Sequence, residues 1–388
     1  MSDTDTDTDT DTEAAPPGRR PDTSSLLEQE IPRQPQVLAT AASAFPAPIT
    51  ALLREVRDRD IDDWVVTGCG DGLFAGKCAE VWFARLAERR LRAVPAMELS
   101  RENYPSLTPR SVVVAVSHSG TTARVLEAAR AARARGAYVV ALTGNADSEL
   151  AAIANCFVDN TVRNERSNCR TASFQAVTLF LRMLAEAVAG RGFSTPPLEA
   201  LATYLEQART QVDRLPDAVL VGDHWIFTGS GLGLAVAEYG KAKAHEAATV
   251  PAHCVELEQF IHCEIFTVRP ETAVVLVAPR GRASSRAREL AGGLRKLGAM
   301  TIAVTDDDTL AAMCRHAISL PAGLAEDDQP FVEVGPLQWL ALRLAALRGD
   351  NPDLVNHKWV NRPLIDDSQQ WGSEHYEAEP AVPGPAQA

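Results

Sequence analysis

The sequence predicts an α/β protein of two tandem doubly wound domains, each a parallel sheet with helices on both faces. Three observations carry that expectation. The β-branched run at 111–116 leads directly into a hydroxyl-rich turn and an Ala/Arg helix, and a second strand at 138–143 completes a βαβ unit. A strand entering a Gly-rich turn occurs twice, as Trp-Val-Val-Thr-Gly-Cys-Gly-Asp-Gly at 64–72 and Trp-Ile-Phe-Thr-Gly-Ser-Gly-Leu-Gly at 225–233. Around each copy apolar strands alternate with amphipathic helices, which implies crossovers and parallel pairing.

The elements follow in order. Residues 1–25, Asp-Thr repeats and then Pro, Gly and Arg, have too little apolar surface to offset the entropy of ordering and read as a disordered tail. Residues 26–195 form the first domain: an N-terminal helix, the Trp64 strand, a long helix at 73–91, the 111–116 strand, a helix at 123–134, the 138–143 strand and a last helix at about 172–189. Residues 196–345 form the second: the Trp225 strand, a helix at 234–248, a strand at 272–279, a polar turn at 280–285, a helix at 286–297 and a strand at 300–305. The domains join near 190–218, and residues 346–388 are a C-terminal tail that turns polar and Pro-rich from about 366.

Bulk properties narrow the function. With 388 residues, 46% of them apolar, two ordinary cores can form. A net charge of −13 argues against a nucleic-acid surface. No apolar run reaches membrane-spanning length and the N-terminus has no signal-peptide core, so a cytoplasmic chain with no membrane partner is expected. Seven cysteines without a C-x-x-C pair indicate neither a disulfide framework nor a structural zinc. The Gly-x-Gly-x-Gly at 229–233 is not followed by an acidic residue ending a second strand about 20 residues on, so no nicotinamide or flavin cofactor is expected.

The turn at 117–122, Ser-His-Ser-Gly-Thr-Thr, concentrates the chemistry. Ser117, Ser119 and Thr122 bring hydroxyl donors to a helix N-terminus, whose free N–H groups and dipole favour an anion. Gly120 lets the backbone approach a ligand. Read alone, the same turn is equally a Ser/Thr-rich helix cap.

Two such units in tandem, with this turn in the first, resemble the double sugar-isomerase (SIS) domain family, whose members include the isomerase half of glucosamine-6-phosphate synthase and related ketosamine-phosphate enzymes. Three further stretches carry the likeness: Leu-Glu-Gln-Glu-Ile-Pro-Arg-Gln-Pro at 27–35, the turn and helix at 229–246, and Gln-Phe-Ile-His-Cys at 259–263. The resemblance covers about residues 26–360 and implies a flavodoxin-like SIS fold, a phosphorylated sugar or amino sugar as ligand, and a homodimer with shared active sites. The glutaminase half of the synthase needs a cysteine at the extreme N-terminus, where Met1-Ser2-Asp3 supplies none, so glutamine-dependent amination is not expected.

By the same resemblance the hydroxyl turn binds phosphate, with His118 replacing a glutamine and either adding a donor or facing solvent. Glu246 falls on the general base that moves a proton between C1 and C2; as an ordinary helix residue it would make a surface pair with Lys243. Lys243 matches a lysine that holds the base or a substrate hydroxyl. His262 stands where a histidine from the neighbouring subunit opens the sugar ring. Lys358 lies two residues out of register from a Schiff-base lysine in the C-terminal tail, with His357 as an alternative acid or base.

Several positions depart from the family. Gly72 replaces a serine in the first Gly-rich turn and is counted with the substrate contacts. Arg170 replaces a small hydroxyl residue and, with Arg163 and Arg166, suits a further anionic group or a solvated basic loop. Cys263-Glu264 replaces Gly-Pro beside His262. A metal site from His253, His262 and nearby carboxylates matches no ligand spacing, and none is expected. The functional expectation is an isomerase of aldose–ketose or amino-sugar phosphates acting through an enediol. A ketosamine-phosphate deglycase or aminotransferase-like enzyme and a non-catalytic sugar-phosphate sensor are the alternatives.

Overall fold

The computed structural model describes residues 24–353, which contain two five-stranded sheets. In the first, β1 (Asp63–Gly68), β2 (Leu91–Pro95), β3 (Ser111–Val116), β4 (Tyr138–Thr143) and β5 (Cys156–Asp159) lie in the order β2-β1-β3-β4-β5. In the second, β6 (Trp225–Gly229), β7 (Ala252–Glu256), β8 (Ala273–Val277), β9 (Met300–Thr305) and β10 (His316–Ser319) repeat it as β7-β6-β8-β9-β10. Every pairing is parallel. In this doubly wound order the winding reverses between β1 and β3, and again between β6 and β8. Ligand clefts open there, beyond the C-terminal strand ends.

The central strands are buried along their whole length, as β3, β4 and β8 show, because helices cover both faces. The edge strands are short and half-buried, and here the structure corrects the sequence reading. The helix expected at 73–91 runs over Asp71–Trp82, continues as a π-helical turn at Phe83–Ala87, and stops where Glu88 adopts φ +51°. Leu91–Pro95 then forms the edge strand β2, whose five residues are too few to separate a strand period from a helical one. The joining region contains a helix, Leu198–Asp213, packed on the long helix Gln329–Arg348.

One apolar core runs through both halves, built on the helices Asp71–Trp82, Ala172–Val188, Leu232–Ala248 and Gln329–Arg348. Trp82 stacks on Phe331 with ring centroids 6.2 Å apart, and Phe174 packs on Tyr239 at 4.2 Å. Lys77 and Glu238, 161 residues apart, form an ion pair of 2.5 Å between the first and third of these helices. The same offset relates Gly70 to Gly231 and Gly72 to Gly233. A contact between equivalent positions is what an approximate two-fold axis through that pair requires. Among the described residues no single helix is long and apolar enough to cross a membrane.

Candidate active site

The register of β1 against β3 pairs Gly68 with Val116, so the turns that follow them share one edge of the first sheet. After β3, the Ser117 hydroxyl lies 2.8 Å from that of Thr122 and accepts the Gly120 N–H at 3.1 Å. Ser119 Oγ accepts both the N–H and the hydroxyl of Thr121, at 3.2 and 2.9 Å. Gly120 has φ +71°, and a Cβ there would sit 2.2 Å from Ser148 Oγ, so glycine is obligatory. The helix Ala123–Ala134 that follows has no side-chain cap, because the Thr122 hydroxyl is turned to Ser117. Its first-turn N–H groups therefore face the turn without a side-chain acceptor.

His118 points inward, not simply to solvent. Its Nδ1 is 3.1 Å from Asn160 Nδ2 and 3.3 Å from Ser173 Oγ. Asn160 Oδ1 already accepts the Val162 N–H, so Nδ2 is the donor and His118 Nδ1 the acceptor, which leaves the proton on Nε2. Burial, then the Arg170 charge, lowers the imidazole's pKa and keeps it neutral.

The loop before the helix Ala172–Val188 is held from three sides. Glu165 caps that helix, accepting the N–H groups of Thr171 and Ala172 at 2.7 Å and of Ser173 at 3.1 Å. Glu30, from the helix Leu26–Glu30, accepts the Arg166 N–H at 2.7 Å. Arg170 donates to the Glu165 carbonyl, while its own carbonyl accepts the Tyr239 hydroxyl at 2.9 Å. Arg163 is paired with Asp159 and Arg166 is exposed, while the charges of Arg170 and Arg163 both bear on His118.

Beside the turn that follows β1, the buried Lys243, 1% exposed, places Nζ 3.0 Å from Asp71 Oδ2 and 2.6 Å from Glu246 Oε2, with the Tyr239 ring centroid 5.0 Å away. Burial opposes the ammonium charge, but Asp71 and Glu246 outweigh it and hold its pKa well above the usual lysine value. Asp71 opens the helix Asp71–Trp82. Burial, partly opposed by Lys243 and reinforced by Glu246, raises its carboxyl to about 7, and its Oδ1 is buried without a partner. Asp71 was missing from the sequence-based site; its one signal was an acid at the end of a Gly-rich turn. Tyr239, Asn160 and Glu165 were missed too.

Of the expected residues, the structure brings Ser117, His118, Ser119, Thr122, Arg170, Lys243 and Glu246 to this end of the first sheet. Gly72 lies there as well, but as a packing position: a Cβ would be 2.9 Å from Val116 Cγ1. His262 is elsewhere, at the end of the helix Leu257–His262, 66% exposed and bonded at 3.1 Å to Glu258, which also pairs with Arg286. Lys358 lies outside the described residues. The described chain ends at Asp353, whose carboxylate accepts the N–H groups of Leu26 and Leu27 and whose carbonyl accepts Asn168 Nδ2 at 3.1 Å, beside the Glu165 loop.

Two like sheets with this polar cluster at the first winding reversal have counterparts among known proteins. A family model for the SIS domain matches residues 59–187 and again 222–348, and the chain belongs to that family. Among curated relatives, the glutamine–fructose-6-phosphate aminotransferase (isomerizing) of Rhizobium leguminosarum bv. viciae is 26% identical over 351 residues, 84% of this chain and 57% of that protein. The chain thus spans little more than half of such relatives. Among solved structures, glucosamine-6-phosphate deaminase from Thermotoga maritima has a TM-score of 0.71 at 23% identity, covering 85% of this chain and 97% of that one. Tagatose-6-phosphate ketose/aldose isomerase from Escherichia coli has 0.74 at 21%, covering 87% and 97%. These two share the fold with this chain, and the three proteins carry names of three different reactions.

Proposed function

We propose that the chain is a cytoplasmic phosphosugar enzyme that isomerises an aldose–ketose or amino-sugar phosphate by enediol-type proton transfer. The observation that carries this reading is the buried Lys243 ammonium clamped between Asp71 and Glu246, at the same end of the first sheet as an uncapped hydroxyl turn. The turn hydroxyls of Ser117, Ser119 and Thr122, with the helix N–H groups, receive the phosphate. Glu246 takes the proton from C2 of an open-chain aldose and returns it to C1. The electron pair left behind forms the enediolate, whose oxygen the Lys243 ammonium stabilises. Asp71, near neutrality, moves the proton between the two oxygens. Arg170 and His118 border the phosphate subsite, and Gly72 lets the helix Asp71–Trp82 pack against Val116 beside it.

Ring opening is assigned to His262 supplied by a second copy in a homodimer. Support comes from its exposure, shared by Phe266, whose ring is 83% exposed four residues on. A second reading, a deglycase or aminotransferase-like reaction using the same base with Lys358 as an imine-forming amine, is favoured by the aminotransferase relatives and the deaminase fold.

Incubation with hexose and aminohexose phosphates in deuterated water tests both. Deuterium at C1 or C2 that is lost in Glu246→Gln supports isomerisation. Release of ammonia or amine, with covalent trapping at Lys358, supports the second reading. Binding without exchange or release overturns both in favour of a sensor.

A further inference from the structure

The second winding reversal also opens a cleft, a cavity of about 430 Å³ between the turns after β6 and β8 and the first domain's residues 80–85. Its volume is that of a small-metabolite pocket. We propose that this cleft is a separate site for a small phosphorylated anion, which it binds without turning over.

Three features support an anion. Arg282 lines the cavity, is exposed, and makes no hydrogen bond or ion pair among the described residues. Arg280 lies at the rim, 3.3 Å from the fully exposed Asp308, and Arg85 faces in from the first domain, paired with Glu326 and with Asp327 at 3.8 Å. The 17-residue helix Leu232–Ala248 begins at the cavity without a side-chain cap, after Gly231 at φ +58°. The carboxylates that also line the site are engaged: Glu80 accepts the Ala93 N–H at 2.8 Å, and Glu326 holds Arg85. Val81, Ala84, Leu257 and Val277 give an apolar floor for the body of the ligand.

The absence of turnover follows from the two-fold relation. The 161-residue offset puts Trp82 where Lys243 stands, Arg85 where Glu246 stands, and Leu232 where Asp71 stands. At those three positions the second cleft has neither a carboxylate nor an ammonium, its lining carboxylates Glu80 and Glu326 being tied to the Ala93 N–H and to Arg85, and its binding does not depend on the reaction assigned to the first.

Calorimetric titration of the full chain at low salt with inorganic phosphate, glucose 6-phosphate and AMP tests the inference. At least one probe is expected to show a binding event that Arg282→Glu weakens about tenfold or more and Ser119→Ala/Thr122→Ala leaves unchanged. Arg282 is exposed and unpaired, so an unaltered melting temperature confirms that its reversal spares the fold. Events lost only in the Ser119/Thr122 variant, or no event with any probe, overturn the proposal. Binding confined to the second cleft sustains it while sinking the phosphate subsite proposed for the first.

Discussion

One side of the pseudo-two-fold axis holds a buried ammonium between two carboxyls, Lys243 with Asp71 and Glu246, while the other, at the three equivalent positions, holds the Trp82 indole, the Arg85 guanidinium and Leu232. The backbone frame is shared. Gly70 and Gly231 open the two helices, Gly72 and Gly233 let those helices close on β3 and β8, and Lys77 meets Glu238 between them. One frame therefore carries the Asp71–Lys243–Glu246 cluster at one end and the cavity lined by Arg85, Arg280 and Arg282 at the other. On the function proposed above, the reaction is assigned to Asp71, Lys243 and Glu246 and not to the doubly wound fold, which both halves possess.

The comparison breaks first at Glu246. Glu246→Gln is expected to slow C1–C2 deuterium exchange by about a thousandfold, the range for loss of a positioned base, with KM changed less than roughly threefold. Near-normal exchange would show that the first cleft is no more reactive than the second. Lys243→Met comes next. It leaves two carboxyls facing each other in a buried site and should cost about 3 kcal/mol in urea unfolding, with more than about 1 kcal/mol returned when Asp71→Asn is added. An additive double mutant would mean that Lys243, like Trp82, is only filling space.

Buried carboxyls extend the contrast. Asp71 has Lys243 beside it, whereas Glu333, fully buried on the long helix, has both oxygens without a partner. Burial, with Asp306 adding, raises Glu333 to about 8. Its native pKa lies above the unfolded value of 4.5, so its contribution is complete below that pH and is lost as pH rises through about 8. The loss approaches about 3 kcal/mol by pH 7. Wild-type stability should fall between pH 5 and about 8, and Glu333→Gln should flatten much of that fall. Parallel profiles for the two proteins would refute the neutral carboxyl.

What the sequence disclosed divides along the same physical line. β3, β4 and β9 and the helix Ala123–Ala134 were legible to the residue, because continuous β-branched runs and an Ala/Arg period are local patterns. The edge strands β2, β5, β7 and β10 were not, being too short for a period to emerge. Lys243 and Glu246 stand one helical turn apart and could be read together. Asp71 lies 172 residues from Lys243, and Asn160 42 residues from His118, so only the fold brings these partners together. His262 was legible as a residue type alone, and the role proposed for it depends on a second copy of the chain.

The smallest expected effect tests the shared frame itself. Gly70 has φ +55° and ψ −122°, and Gly231 has φ +58° and ψ −125°, a region that side-chain-bearing residues avoid. A Cβ at either position would meet nothing within 4 Å, so Gly70→Ala and Gly231→Ala measure backbone strain without a packing clash. Each should cost about 1–2 kcal/mol, and the two costs should agree within roughly 0.5 kcal/mol. Gly72→Ala and Gly233→Ala should differ, because the new methyl meets the Val116 side chain at 2.9 Å in one case and the Val277 carbonyl oxygen at 2.7 Å in the other. A side chain can yield and a strand carbonyl cannot, so Gly233→Ala should be the more damaging. Unequal costs for the first pair would mean that the halves differ in backbone as well as in side chains. The reactive cleft would then owe part of its character to strain, and not to Asp71, Lys243 and Glu246 alone.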